Sequence, residues 1–300
     1  MSSGSSVRAE YALPVLGTPS SMTLVELAVA YSAENAASDG YRANLLRTAR
    51  KFALYGLIFV RQLSAISVNT ALQEMRGTAQ TKHNIRREML TLWKWAFDRE
   101  WSSSPPLRLH RIKVKARPVE AWSMQTLERM MEVAARDETP VSLRLPQVTR
   151  RMVLPAWIGL AFDTGLRFAD VHALTLKNFR NNCVAVTAGK TGKTTIRPVS
   201  EDTADEVGQL FKQSPDGTLF KWAVPRRRAF VMWQRFLAEH KFSGSSKYLR
   251  RSCATYVQRK SPGQASDYLS HSDPKLVWKH YLDQTLLDMP EGPPSIRRAK

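Results

Sequence analysis

From Met22 onward, apolar residues recur at three- and four-residue intervals through most of the chain, and this helical spacing constrains the fold more than any other feature. "TLVELAVAYSAEN" places Leu24, Leu27, Ala28 and Tyr31 on one helical face. "YRANLLRTARKFALYGL", "SVNTALQEMRG" and "TKHNIRREMLTLWKWAFDRE" continue the pattern. In the last of these, Leu90, Trp93 and Phe97 are expected to form the buried face, with Lys82, Arg86, Arg87 and Lys94 largely off it. The helical run breaks at "SSSPP" (102–106) and gives way to "RLHRIKVKARPVEAW" (108–122), which alternates basic and apolar residues and carries Pro118.

Helices resume after Ser123, a suitable N-cap. "RRMVLPAWIGLAFDTG" reads as an apolar helix stopped by Gly165. The only β-like signal is a pair of short runs, "CVAVTAG" and "TTIRPVS", flanking "KTGK" as a hairpin would. Further helices are expected at 203–213, 224–240 and 246–260, with short ones to about 282. No internal repeat is visible. The expected class is mainly α with a small β-sheet. The expected domains are a flexible tail (1–20), a helical domain (21–107), a basic linker (108–122) and an α+β domain (123–300).

The charge balance points to a polyanion. Lys and Arg number 45 against 26 Asp and Glu, a net +19. Residues 1–117 carry +9 and residues 118–300 carry +10, so the excess is not a basic tail on a neutral enzyme. Both parts are expected to face the same anion, most simply nucleic acid. Candidate contacts are Lys82, Arg86, Arg87 and Lys94 in the helical domain and Arg111, Lys113 and Lys115 in the linker. Two cysteines, Cys183 and Cys253, make neither a disulfide framework nor a metal set. The chain shows no membrane-length apolar run or signal-peptide core, so a soluble, cytoplasmic protein is expected.

Four stretches carry candidate chemistry. In "DTGLRFADVHAL" (163–174), Arg167 follows the helix stop at Gly165, where it can meet a phosphate, and Asp170 can orient it. "AGKTGKTT" (188–195) resembles a phosphate loop, but Thr187 stands where the first glycine is required and a strand follows instead of a helix. It reads instead as a turn presenting Lys190 and Lys193. "SKYLRRSCATYVQRK" (246–260) sets Lys247, Arg250 and Arg251 beside Leu249, Cys253 and Ala254, which reads most simply as basic residues snorkelling at a helix edge. In "DYLSHSDPKLVWKHYLD" (267–283), Ser272 or Asp273 caps a short helix between His271 and Tyr281. His271 and His280 lack the partners of a zinc site.

Each stretch alone is ordinary, but their order is informative. "TGLRFADVHALT", "AGKTGKTTIRPV", "KYLRRSCAT" and "YLSHSDPKLVWKHYLD" resemble, in sequence, the first arginine box, lysine hairpin, second arginine box and nucleophile segment of the tyrosine recombinases, the phage-type integrases. The resemblance covers about residues 22–285. It implies a two-domain DNA clamp, with a core-binding domain followed by a catalytic domain that cleaves and rejoins DNA through a 3′-phosphotyrosyl intermediate, without metal or other cofactor. It assigns Arg167 and Arg250 to the phosphate, Lys190 to the leaving 5′ oxygen, His271 to a phosphate hydrogen bond and Tyr281 to nucleophilic attack, with Lys193 and Arg251 as further DNA contacts. It implies double-stranded DNA with specific sites as partner, a monomer when free and a homotetramer on DNA, accessory DNA-bending proteins, no membrane, and a bacterial or phage origin.

Three positions depart from the family pattern. Lys247 stands where histidine is usual, Asp170 where glutamate is commoner and Ser270 where glycine is usual. The lysine keeps a fixed positive charge where histidine can switch. It leaves a catalytically weak DNA-binding protein as an alternative, and a type IB topoisomerase as a third reading. Tyr248, Tyr256 and Tyr268 are rivals of Tyr281 as nucleophile.

Overall fold

In the computed structural model, which describes residues 21–107, 109–187 and 194–287, the chain forms two compact units divided between Ala116 and Arg117. The division falls inside the basic segment at 108–122. Residues 109–123 form neither helix nor strand, and Arg111, Lys113 and Lys115 are exposed along them.

Among the described residues, the first unit contains four α-helices: α1 (Leu24–Glu34), α2 (Asp39–Ala53), α3 (Ala65–Glu74) and α4 (Ala79–Phe97). Thr23 and Glu26 close a reciprocal capping box at the start of α1, and Ser38, Ser64 and Thr78 cap the other three. Leu24, Leu27, Leu45, Phe52, Met89 and Trp93 are fully buried between them. The buried face of α4 differs from the expected one. It runs through Ile85, Met89, Leu92, Trp93 and Ala96, while Phe97 is 38% exposed and Leu90 half-buried. Phe97 closes the helix, where no neighbour covers its ring. The indole N–H of Trp93 donates to the Ser104 carbonyl at 2.7 Å, which folds the "SSSPP" stretch back onto α4.

The basic residues of α4 divide into two kinds. Arg87 and Lys94 are exposed. Arg86 is half-buried and donates to the Leu109 carbonyl at 3.1 Å, and Lys82 donates to the Gln73 carbonyl at 2.9 Å. These last two hold their own unit together in addition to carrying charge.

The second unit is built around α6 (Arg150–Thr164), which is buried on nearly every side. It packs against α5 (Met124–Ala134), α8 (Glu201–Lys212) and α10 (Lys247–Lys260). Leu154, Trp157, Ile158 and Leu160 enter the core beside Phe220, Trp233 and Phe236. The approach of α8 is close at Gly159, where a Cβ would lie 2.4 Å from Thr203 Oγ1. After α6 come α7 (Phe168–His172) and an antiparallel sheet of β3 (Phe179–Arg180), β4 (Cys183–Thr187) and β5 (Thr194–Pro198), in that spatial order. The β4–β5 register pairs Val184 with Arg197 and Thr187 with Thr194. The turn between them, with Lys190 and Lys193, lies outside the described residues, as do the tail at 1–20 and residues 288–300. The unit ends with α9 (Arg226–Glu239), α10, α11 (Ala265–Tyr268) and α12 (Pro274–Tyr281). A hairpin of β1 (Pro140–Ser142) with β2 (Leu145–Thr149), ahead of α6, was not anticipated. Its Pro140, Pro146 and fully exposed Leu143 mask the alternation by which a strand is recognised.

Arg150, only 4% exposed, fixes the start of α6 by donating to Asp137 at 3.2 Å and to Glu239. Burial pushes the Asp137 carboxyl up, but hydrogen bonds from Thr139 and Arg150 and the Arg150 charge outweigh it and hold the carboxyl below its ordinary range. Arg150→Ala strands a buried carboxylate and should cost about 3–5 kcal/mol in urea unfolding at neutral pH. Because the folded pKa of Asp137 is depressed, its contribution is present above the unfolded value of about 3.9 and is lost as pH falls through the folded one. The gap between wild type and variant should therefore narrow in acid.

Candidate active site

The site begins at the end of α6. Gly165 takes the left-handed conformation (φ +61°) that stops the helix, and Arg167 follows as the N-cap of α7. Gly165 is also tightly packed. A Cβ there would lie 2.6 Å from Leu269 Cδ2 and 3.0 Å from Cys253 Sγ. The Arg167 side chain is 60% exposed and lies 3.9 Å from the Asp170 carboxylate, so this pair orients the guanidinium only weakly.

Arg250 is held differently. It is 6% exposed, so it does not snorkel at a helix edge as its neighbours in the sequence suggested. One guanidinium nitrogen donates to the Gly165 carbonyl and the other to the Leu269 carbonyl at 3.2 Å. Its Nε–H has no hydrogen-bond partner among the described residues. Burial lowers its pKa, and the nearby positive charge of Arg167 lowers it further. Two guanidinium groups close enough to influence one another are suited to meeting an anion.

Tyr281 is the last residue of α12. Pro274 opens that helix and the Asp273 carboxylate caps it, accepting from the Lys275 N–H at 2.8 Å. The guanidinium carbon of Arg250 lies 5.2 Å from the centre of the Tyr281 ring, and the His271 ring lies 5.9 Å from it on another side. The Asp273 N–H donates to His271 Nδ1 at 3.4 Å. That bond makes Nδ1 the acceptor and leaves Nε2 to carry the ring proton. Past Tyr281, the buried Asp283 accepts from the Ala121 N–H at 2.8 Å, and its own N–H donates to Thr255 Oγ1 at 3.0 Å.

Arg167, Lys247, Arg250, Arg251 and Tyr281 line one cleft of about 890 Å³. Sequence reasoning missed three other groups on the same walls: Arg226 and Arg227 at the start of α9, and His280. The arginines were legible as the charge run "PRRR" after Val224, just where a helix starts. His271 is not among the residues that line the cleft, but its ring is a direct neighbour of the Tyr281 ring. Arg251 stacks on Tyr248, with its guanidinium carbon 5.4 Å from that ring centre, and donates to the Glu120 carbonyl at 3.3 Å.

The rival tyrosines have their hydroxyls engaged. Tyr248 donates to Glu120, Tyr256 accepts from the Met124 N–H at 2.9 Å, and Tyr268 donates to the Asp163 carbonyl at 2.5 Å. Burial pushes the Tyr268 phenol up to about 12.

No family model and no curated protein matches the sequence. Solved structures do match in fold. The lambda integrase (75–356) dimer bound to a COC′ core site aligns with a TM-score of 0.69 at 14% identity, over 92% of this chain and 100% of that one. The Tn1549 transposon integrase (82–397) in complex with circular intermediate DNA gives 0.66 at 13%, over 90% and 97%. A lambda integrase tetramer bound to a Holliday junction gives 0.64 at 15%, over 84% and 78%. The fold is therefore that of the tyrosine recombinases, mostly helical with small antiparallel sheets.

Gly165→Ala tests how the arginines are held. The left-handed backbone alone should cost about 1–2 kcal/mol, and the Cβ must displace Leu269. We expect a lowered melting temperature and, in the fraction that stays folded, weaker binding of inorganic phosphate than wild type by titration calorimetry.

Proposed function

We propose that the chain is a site-specific DNA recombinase that cleaves and rejoins strands through a covalent bond to Tyr281. The observation that carries this reading is the cleft itself, where Arg167, Arg250 and Lys247 share walls with a tyrosine at a helix end. Arg167 and Arg250 neutralise the non-bridging oxygens of the scissile phosphate as charge develops on them. Tyr281 Oη attacks phosphorus, the bond to the 5′ oxygen breaks, and a 3′-phosphotyrosyl link forms that keeps the strand ready for rejoining. Lys190 gives a proton to the departing 5′ oxygen, and the proton of Tyr281 passes to an imidazole, a role that the presence of His280 on the cleft wall supports. The family resemblance gives His271 a hydrogen bond to the phosphate, and its nearness to the Tyr281 ring supports that role. Lys247, as an ammonium, binds the phosphate and does not accept a proton.

The fold similarity to integrases solved on DNA supports double-stranded DNA as substrate, as does the net charge of +19. Arg226 and Arg227, with Arg87, Lys94, Arg111, Lys113, Lys115 and Lys193, contact the DNA backbone. Specific recombination sites, a tetramer on two duplexes and accessory bending proteins complete the proposal. No described helix is long and apolar enough to cross a membrane. The domain roles follow the two units, a core-binding domain and then a catalytic one.

A nicked suicide duplex traps the covalent intermediate. Wild type should give a DNA-linked band on a denaturing gel, and Tyr281→Phe should remove it. An unchanged band in that variant moves the nucleophile elsewhere. The second reading, DNA binding without cleavage, is favoured by one observation, a fixed cation at position 247 on the cleft wall. Lys247→His separates the two. An adapted Lys247 predicts unchanged or slower single-turnover cleavage in the variant, whereas a rise above wild type favours the second reading.

A further inference from the structure

Arg197 has no part in the chemistry above, yet few side chains of the second unit are tied down as heavily. It sits on β5, half-buried, and reaches across to the turn that follows α11. Its Nε–H donates to the Tyr268 carbonyl. Its Nη2 donates to the Asp267 carbonyl and to Ser270 Oγ, both at 2.8 Å. The guanidinium carbon lies 4.7 Å from the centre of the Tyr268 ring, and the Tyr268 hydroxyl is bound in turn to the end of α6 through Asp163. Each of these partners is a carbonyl, a hydroxyl or a ring, and none is a carboxylate. Burial lowers the pKa of the guanidinium, so its charge is kept there at a cost.

The turn so gripped carries the Leu269 carbonyl that accepts from Arg250, and it leads directly into His271. Ser270 holds a left-handed backbone (φ +52°), which a residue with a Cβ adopts only under constraint. The hydrogen bond to its hydroxyl supplies part of that constraint. The next residue, His271, donates its N–H to the Ser266 carbonyl at 2.9 Å, and its ring stands beside Tyr281. Tyr268 O, Asp267 O and Ser270 Oγ are thus three successive holds on the peptide that delivers the imidazole.

We infer that Arg197 is a positioning residue that sets the His271 imidazole against Tyr281 by clamping the 267–270 turn to the sheet. It has no contact with Tyr281 among those the structure shows and acts chiefly through His271. The inference rests on the proposed cleavage reaction.

A double-mutant cycle tests it, with single-turnover cleavage of the nicked duplex measured at saturating DNA. A misplacement of about 1 Å at a reacting group can cost ~100-fold, so Arg197→Met should slow cleavage by about 10- to 100-fold with DNA affinity unmoved. In a His271→Ala background the same change should cost less than about threefold, because the group it positions is already gone. Arg197→Lys, which keeps one donor and a long stem, should fall between wild type and Arg197→Met and guards against a variant that fails to fold. Full additivity of Arg197→Met and His271→Ala overturns the inference, as does a cleavage rate for Arg197→Met equal to wild type. Neither result touches the proposed reaction, which fails if wild type forms no adduct or if Tyr281→Phe keeps it.

Discussion

Everything in the site depends on the burial of one guanidinium. Arg250 is placed where water is largely excluded, and its bonds to Gly165 O and Leu269 O join the end of α6 to the turn before His271. Those two carbonyls belong to the segments that present Arg167 and His271. One side chain therefore sets the geometry of both neighbours while keeping donor capacity for a ligand. The cost of desolvating this cation near a second one is offset in part by the two carbonyls and by the Tyr281 ring beside it. The close packing of Gly165 against Cys253 and Leu269 belongs to the same constraint, because any Cβ there would separate the elements that Arg250 joins.

The fold was legible where one signal decided it. Helical spacing, N-caps such as Ser123 and the glycine stop at 165 gave α5 and α6, and the paired runs around "KTGK" gave β4 and β5. The Pro140–Ser142 hairpin escaped because two prolines hide its alternation. The buried face of α4 shifted because local spacing cannot say which neighbour covers the last turn. The order of the four boxes brought Arg167, Lys247, Arg250 and Tyr281 to one cleft. What the sequence did not disclose was burial. Nothing in "YLRRSC" distinguishes the buried Arg250 from Arg251, which lies against Tyr248, because they differ only in the direction each leaves the helix. Arg197 was missed for a related reason, since its partners are remote in sequence.

Tyr281, favoured over its rivals by the order of the motifs, also differs from them in its tertiary contacts. Four tyrosines lie between residues 248 and 281. Three have hydroxyls engaged in holding α6, α10 and the segment before α5 in place. Tyr281 instead ends a short capped helix and faces Arg250. The others act as packing and hydrogen-bonding residues, so their rings build the frame that holds Tyr281.

The link from Ala121 to Asp283 spans 162 residues. It joins the beginning of the second unit to the residues just past the nucleophile, and Trp122 is locked to Ser252 in the same region. During synthesis, the N-terminal partner of this latch emerges long before the C-terminal one. Tyr281 cannot be seated until translation has passed it, so a nascent or prematurely terminated chain can display most of its basic surface before the cleft that Tyr281 lines is complete.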